Sequence, residues 1–175
     1  MIDKQVVTDI VSRSNEWNSI YKISSNLKTL SAKIITKTPL NDFLQSDNQI
    51  ELSIILVNDL QMRKINKQFR SRDKTTNTLS FPALDANKTD FKKLAKSQNY
   101  LFIGDIIFSL GQLRKEVQES HNKTFNNHLA HLLTHSILHL IGHDHLEDQQ
   151  AEKMESLEVK ILKSLNIPNP YDDHC

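Results

Sequence analysis

HSILHLIGHDH, residues 135–145, packs four of the chain's eight histidines into one short run. His135 and His139 stand four apart. On a helix that spacing puts both imidazoles on one face, about 6 Å apart along the axis, close enough to share one ion. Gly142 follows as a C-cap, because glycine enters the left-handed conformation without steric cost. The turn brings His145 back from beyond the helix end. Two imidazoles on a helix and a third after a glycine turn can fill three corners of a tetrahedron. The fourth is left for water, which is the plan of a catalytic rather than a structural zinc.

His128 and His131 continue the stripe, so the register has to be decided. His131, His135 and His139 cannot all bind one ion, since the outer two are about 12 Å apart along the axis. The pair is therefore His131/His135 or His135/His139, and the Gly142 turn with His145 selects the second. An isolated pair four apart reads better as a polar stripe of solvated or core histidines. The turn and the third histidine reverse that judgement. His128, His131 and His143 are expected at the surface or behind the ligands, and His121 and His174 as ordinary surface.

The spacing is also that of the metzincin proteases, H-E-x-x-H-x-x-G-x-x-H, whose glutamate is the general base. Ser136 occupies that place, and a serine hydroxyl cannot accept a proton at neutral pH. A protease would need another acid at the metal, and Asp105 and Asp144 are the candidates.

Working outward, the pattern from Ser109 is helical: LGQLRKEVQES, FNNHLAHLLTHSILHLIG and DQQAEKMESLEVKILKSLN. Before it, YLFIGDIIFS (100–109) is the strongest strand, and Gly104-Asp105 inside it suggests a bulge or a close approach. QVVTDIV (5–11), QIELSIILVND (49–59) and TLSFPA also read as strands. Between the first two, Ile20, Ile23, Leu27, Leu30 and Ile34 share a helix face. Asp59 is placed to N-cap a helix carrying Leu60, Met62, Ile65 and Phe69. Residues 83–99 are polar and aperiodic, a loop long enough to be functional or mobile. Strands and helices that do not alternate strictly predict an α+β fold: one domain over 1–175, a small mixed sheet and about four to five helices, one of them a zincin-like metal-binding helix.

Composition bounds the rest. The 175 residues, 38% hydrophobic and 25% charged, suit a soluble globular domain, and a net charge of +1 leaves any nucleic-acid surface to local patches. The single cysteine, Cys175, cannot staple a fold or build a thiolate cluster. No apolar run is long enough for a membrane span, and the N-terminal stretch is a poor signal peptide. A cytoplasmic location is the expectation. RKINKQFRSRDK sets Arg63, Lys64, Lys67, Arg70, Arg72 and Lys74 against one acid, Asp73. Alone, such a run is usually a solvated helix face; beside a metal site it reads as a strip for RNA phosphates.

HSILHLIGHDH resembles the H-G-x-L-H-x-x-G-x-D-H signature of the YbeY family, bacterial metallo-endoribonucleases of ribosomal RNA maturation. INKQFRSRDKTTNTLSFP (65–82) is similar to that family's L-N-x-x-Y-R-x-x-D-x-P-T-x-V-L-S-F-P, IGDIIFS to its L-G-D-I-x-I-S, and NPY near the end is shared. The matches run in the family's order from about Ile50 to Tyr171. Ser136 stands for the usual glycine, His143 for an aromatic and Thr75 for proline; Ser136 adds a hydroxyl near the metal able to tune bound water. The resemblance implies an α+β zincin-like fold and one Zn2+ per chain held by His135, His139 and His145, a donor set that also admits nickel or copper. It implies cleavage of single-stranded RNA, with Arg70 as the functional arginine, in maturing the 3′ end of small-subunit ribosomal RNA and in ribosome quality control. The expected partners are ribosomal RNA, small-subunit ribosomal proteins and assembly factors. The competing readings are a non-catalytic ribosome-assembly factor with a structural zinc and, less favoured, a metalloprotease.

Overall fold

The computed structural model describes residues 5–44, 47–85, 88–120, 123–145 and 147–172. His121, His174 and Cys175 lie outside the described residues. Four strands form one mixed sheet in the order β1-β2-β4-β3: β1 (Val6–Ser12), β2 (Gln49–Val57), β3 (Thr78–Pro82) and β4 (Tyr100–Ser109). β1, β2 and β4 are mutually parallel, and β3 runs antiparallel to β4 along one edge. That edge position is why Pro82, which lacks an N–H, is tolerated at its end.

Alternation along β2 sorts the two faces of the sheet. Ile50, Leu52, Ile54 and Leu56 point to one side and are buried. There they pack with Leu27 and Ile34 of α1 (Ile23–Ile35) and with the long helix α5 (Phe125–Leu140). Met154 and Ile161 of α6 (Asp148–Ser164) close this core from behind. Val57 and Ile107 face the other side, which α2 (Asp59–Arg70) covers at one end through Met62. Each such aliphatic side chain removed from water contributes about 1.5–3 kcal/mol, so the larger core carries most of the stability.

Several expectations shift by a turn. The first helix starts at Ile23; Ile20 precedes it, ending a short turn of 3-10 helix. The polar segment 83–99 contains a helical turn, α3 (Phe91–Leu94), anchored by buried Phe91. Asn58, not Asp59, caps α2, in a capping box with Gln61. Asp59 is spent elsewhere: its carboxylate accepts from the Ser109 hydroxyl and from the Gln112 backbone N–H at 3.1 Å, which caps α4 (Leu110–Glu119). On α2 only Met62 of the expected apolar face is fully buried, and Leu60 and Phe69 are 62% and 59% exposed. An apolar stripe on a short helix over a half-covered sheet face overstates its burial.

Gly104 meets its expectation in both forms. The register between β2 and β4 shifts between Glu51 and Ser53, a bulge in β4. Gly104 has φ +134°, and a Cβ there would lie 2.3 Å from the Phe81 carbonyl oxygen and 3.0 Å from the Leu140 side chain. Its bare backbone lets the edge strand and the end of α5 close on one another, and that junction builds the site.

Candidate metal and RNA site

α5 begins with Thr124 as N-cap, whose hydroxyl accepts from the Asn127 N–H at 3.2 Å. It is buried nearly all round, so its histidine stripe faces protein rather than open solvent for most of its length. After Leu140 the backbone closes a Schellman turn: the Gly142 N–H donates to the His139 carbonyl (3.1 Å) and the His143 N–H to the Leu138 carbonyl (3.0 Å). Gly142 has φ +87°, the left-handed value this turn requires. The returning chain is fixed by Asp144, whose carboxylate accepts the His145 N–H at 2.8 Å.

The three histidines singled out by spacing come together. One nitrogen from each of His135, His139 and His145 lies within 4.8 Å of the others, and among the described residues no fourth potential ligand joins the group. The His135 and His139 Nε2 atoms are 3.1 Å apart. Two imidazoles bound at 2.0–2.1 Å to one tetrahedral ion have nitrogens about 3.3 Å apart, so the spacing fits a metal. Burial, then the neighbouring His135 and His145, pushes the His139 imidazole down to about 4. It is therefore neutral near pH 7, the form that donates a lone pair.

Behind the group sits a residue the sequence reading missed. Glu158 of α6 is buried at 1% exposure, with its carboxylate 2.8 Å from His135 Nδ1 and 2.9 Å from His131 Nε2, and it also accepts from the Tyr171 hydroxyl. Burial alone would raise its pKa, but the hydrogen bonds from His131, His135 and Tyr171 hold it down to about 2. A carboxylate at Nδ1 keeps the proton there and turns Nε2, as a lone pair, toward the other two histidines. The available signal was positional. Met154, Glu158 and Ile161 fall on one buried stripe of α6, and an acid in an apolar stripe needs a partner.

His131 and His128 are thus neither ligands nor surface. His131 shares Glu158, and His128, 7% exposed, sets its Nε2 2.6 Å from Glu116 of α4. Asn77 donates to the same Glu116 carboxylate, which ties the start of β3 to α4 and α5. Burial works against the Glu116 charge, yet the His128 and Asn77 hydrogen bonds keep its pKa below the usual value. His143 is partly buried, which lowers its pKa, with Lys153 adding to the effect.

Ser136 departs from its expected use. It is fully buried and its hydroxyl pairs with the Thr78 hydroxyl of β3 at 3.0 Å, so it fastens the helix to the edge strand instead of facing bound water. Asp105 lies on the α2 side of the sheet, since it shares alternation with Ile107 and not with the core-facing Ile106. It is thus on the wrong face to serve the histidine group, and one oxygen of Asp144 is already engaged with the His145 amide.

Arg70 reaches the free edge of β3. Its guanidinium donates to the Ser80 carbonyl at 3.0 Å and stacks over the Phe81 ring at 5.5 Å, with Phe69 edge-on to that ring at 5.4 Å. Ser80 lies between Thr78, which touches Ser136, and Pro82, which pairs with Gly104 beside Leu140. Arg70 therefore meets β3 from the α2 face of the sheet, over Phe81, and holds its edge through the Ser80 carbonyl. The rest of the basic strip is less uniform than its sequence. Arg63 and Lys67 both pair with Asp73, at 2.8 and 3.0 Å, while Arg72 and Lys74 are exposed.

Comparison with known proteins gives the family and the fold. The family model described as Endoribonuclease YbeY matches residues 9–166. A protein of Sinorhizobium fredii named Endoribonuclease YbeY is 42% identical over 127 residues, 73% of this chain and 69% of its own. A Thermotoga maritima protein solved in solution superposes with a TM-score of 0.54 at 22% identity, covering 91% of this chain and 92% of that one, a likeness of fold. Among the described residues, no helix is long and apolar enough to cross a membrane.

Proposed function

The chain belongs to the YbeY endoribonuclease family, and from that premise we propose that it is a zinc-dependent endoribonuclease specific for single-stranded RNA. The proposal extends to 3′-end maturation of small-subunit ribosomal RNA and to ribosome quality control in the cytoplasm, with small-subunit ribosomal proteins and assembly factors as partners. The whole chain acts as one domain in this reading. The observation that carries it is the convergence of His135, His139 and His145 with Glu158 directly behind His135.

His135, His139 and His145 would hold the ion, and zinc suits a set of neutral imidazoles. Zinc, when bound, supplies a Lewis acid for a phosphoryl oxygen and makes water more acidic. The chain's own residues do the positioning. Glu158 holds the His135 tautomer, and the Schellman turn and Asp144 hold His145. Arg70 binds the phosphodiester: Ser80 and Phe81 fix its guanidinium, and its remaining N–H groups are available to a phosphate in fork geometry. Substrate charge grows on the phosphoryl oxygens during cleavage, so a fixed cation there favours the transition state over the ground state. No side chain of the group is a carboxylate base in the Ser136 position, which argues against peptide hydrolysis.

The test is elemental analysis of the purified protein followed by incubation with single-stranded RNA, double-stranded RNA and casein. One zinc per chain with cleavage of single-stranded RNA alone is expected. Zinc without RNA cleavage returns the assembly-factor reading. Zinc-dependent casein cleavage that disappears in His139→Ala returns the protease.

A further inference from the structure

A cavity of about 130 Å³ opens beyond the histidine group, between the first turn of α5 and the C-terminal tail. Lys123, Asn127 and His128 form one wall, and Pro168, Asn169 and Pro170 form most of the other. We propose that this cavity receives an unpaired nucleobase of the RNA strand, flanking the bond that is cut. The inference rests on the endoribonuclease reading and adds to it a base-binding site.

Size and lining fit a base. An apolar cavity of about 150 Å³ admits benzene, so a six-membered base ring is of the right order. Pro168 and Pro170 give it flat apolar walls. An anion is a poor occupant, because the Asp172 carboxylate also borders the space. The wall is firm where His128 forms it: the ring is 7% exposed and its Nε2 is held by the Glu116 carboxylate. Asn127 adds an amide that can donate and accept, and Lys123 sets a positive charge at the rim, where a flanking phosphate would pass.

Placement ties the cavity to the cleavage site. His128 and His135 are seven residues apart on α5, hence on one face, and the ring centroids step from His128 to His131 by 6.3 Å and on to His135 by 6.4 Å. Tyr171, from the same tail as Pro168 and Pro170, packs on His131 at 5.4 Å, the ring between His128 and His135 along the helix. A strand laid across the tail reaches both. A base held in a duplex cannot enter such a cavity, since its Watson–Crick edge is occupied and its faces are stacked. The cavity therefore supplies a physical reason for preferring single strands.

The experiment uses the full-length, zinc-loaded protein and a single-stranded RNA carrying 4-thiouridine. Photocrosslinks mapped by mass spectrometry are expected within 123–128 and 168–172. Asn127→Phe, which fills the cavity from its wall, should raise KM for the RNA about tenfold with kcat little changed, and should lose those crosslinks. Asn127→Phe should keep its zinc and its wild-type circular dichroism, which separates occlusion from misfolding. Crosslinks confined elsewhere in the wild type overturn the proposal without any variant having to fold, as does an unchanged KM in Asn127→Phe. A wild type that crosslinks at the cavity but cuts no RNA keeps the base site and refutes the nuclease; one that cuts RNA and crosslinks elsewhere does the reverse.

Discussion

The histidine face of α5 and the basic face of α2 each set nitrogen-bearing side chains against one acid, and the acids do opposite things. Glu158 is almost fully buried, and His131, His135 and Tyr171 converge on it. Asp73 is about half exposed, between Arg63 and Lys67, which are themselves mostly in water. A buried carboxylate cannot trade its partners for solvent, so it fixes ring orientation and tautomer. An exposed one holds its partners loosely and mainly offsets their charge. The first region is built to place atoms, the second to set a local field, and Arg70 is the member of the strip that is fastened to the edge strand.

That contrast ranks the effects of substitution. Removing His135, His139 or His145 one at a time by alanine should strip or severely weaken zinc and abolish cleavage. His128→Ala and His131→Ala should retain the metal, because their nitrogens face Glu116 and Glu158. Elemental analysis decides. A His131 variant that loses metal while a His145 variant keeps it would break the division between ligands and supports.

Next is Arg70. A donor fixed at developing charge is commonly worth about a hundredfold to a thousandfold in rate, and Arg70→Ala should lose that much in single-turnover cleavage at saturating RNA with its zinc retained. Arg70→Lys should recover only part, since an ammonium lacks the fork. Arg72→Ala should change affinity and salt dependence instead. If Arg72→Ala loses the rate and Arg70→Ala does not, the catalytic arginine is misassigned.

Glu158 comes third. Glu158→Gln keeps the shape but not the charge, and loss of such a partner typically costs about ten- to a hundredfold in metal affinity. A competition titration against a chelator measures it. An affinity equal to wild type would mean that packing alone orients His135.

The convergence of His135, His139 and His145 was legible because it is local: eleven residues contain the spacing, the glycine turn and the returning histidine. β4 was legible for the same reason, its bulge included. Glu158 was not, since it meets His135 only after α6 folds back across α5, and nothing near position 135 announces it. Asp59 shows the same limit. Its sequence position suggests a cap for its own helix, while the fold uses it to cap α4, where a Cβ on Gly111 would come within 2.4 Å of the carboxylate. The strip on α2 was legible only as a count, which cannot show that two of its cations close on Asp73.

The smallest effect tests that last point. Hydrogen bonds from Arg63 and Lys67 hold the Asp73 carboxyl down to about 2, against a minor opposing contribution from desolvation. For an acid whose pKa is depressed on folding, the pairing is complete above the unfolded value near 3.8 and is lost only as pH falls toward 2. The clamp is therefore closed near neutrality, and modest pH changes do not release its cations. Asp73→Asn does. Each cation freed to meet a phosphate steepens the logarithmic salt dependence of single-strand binding by about 0.7, so two should add up to about 1.4. Saturated cleavage should be unchanged, because neither Arg63 nor Lys67 reaches the edge of β3 where Arg70 is held. Binding of a non-cleaved RNA measured across a salt series gives the slope. A slope equal to wild type would place the strand's path away from α2 and leave Arg70 as that helix's only contribution to RNA; a steeper one would make Asp73 the residue that restrains non-specific affinity.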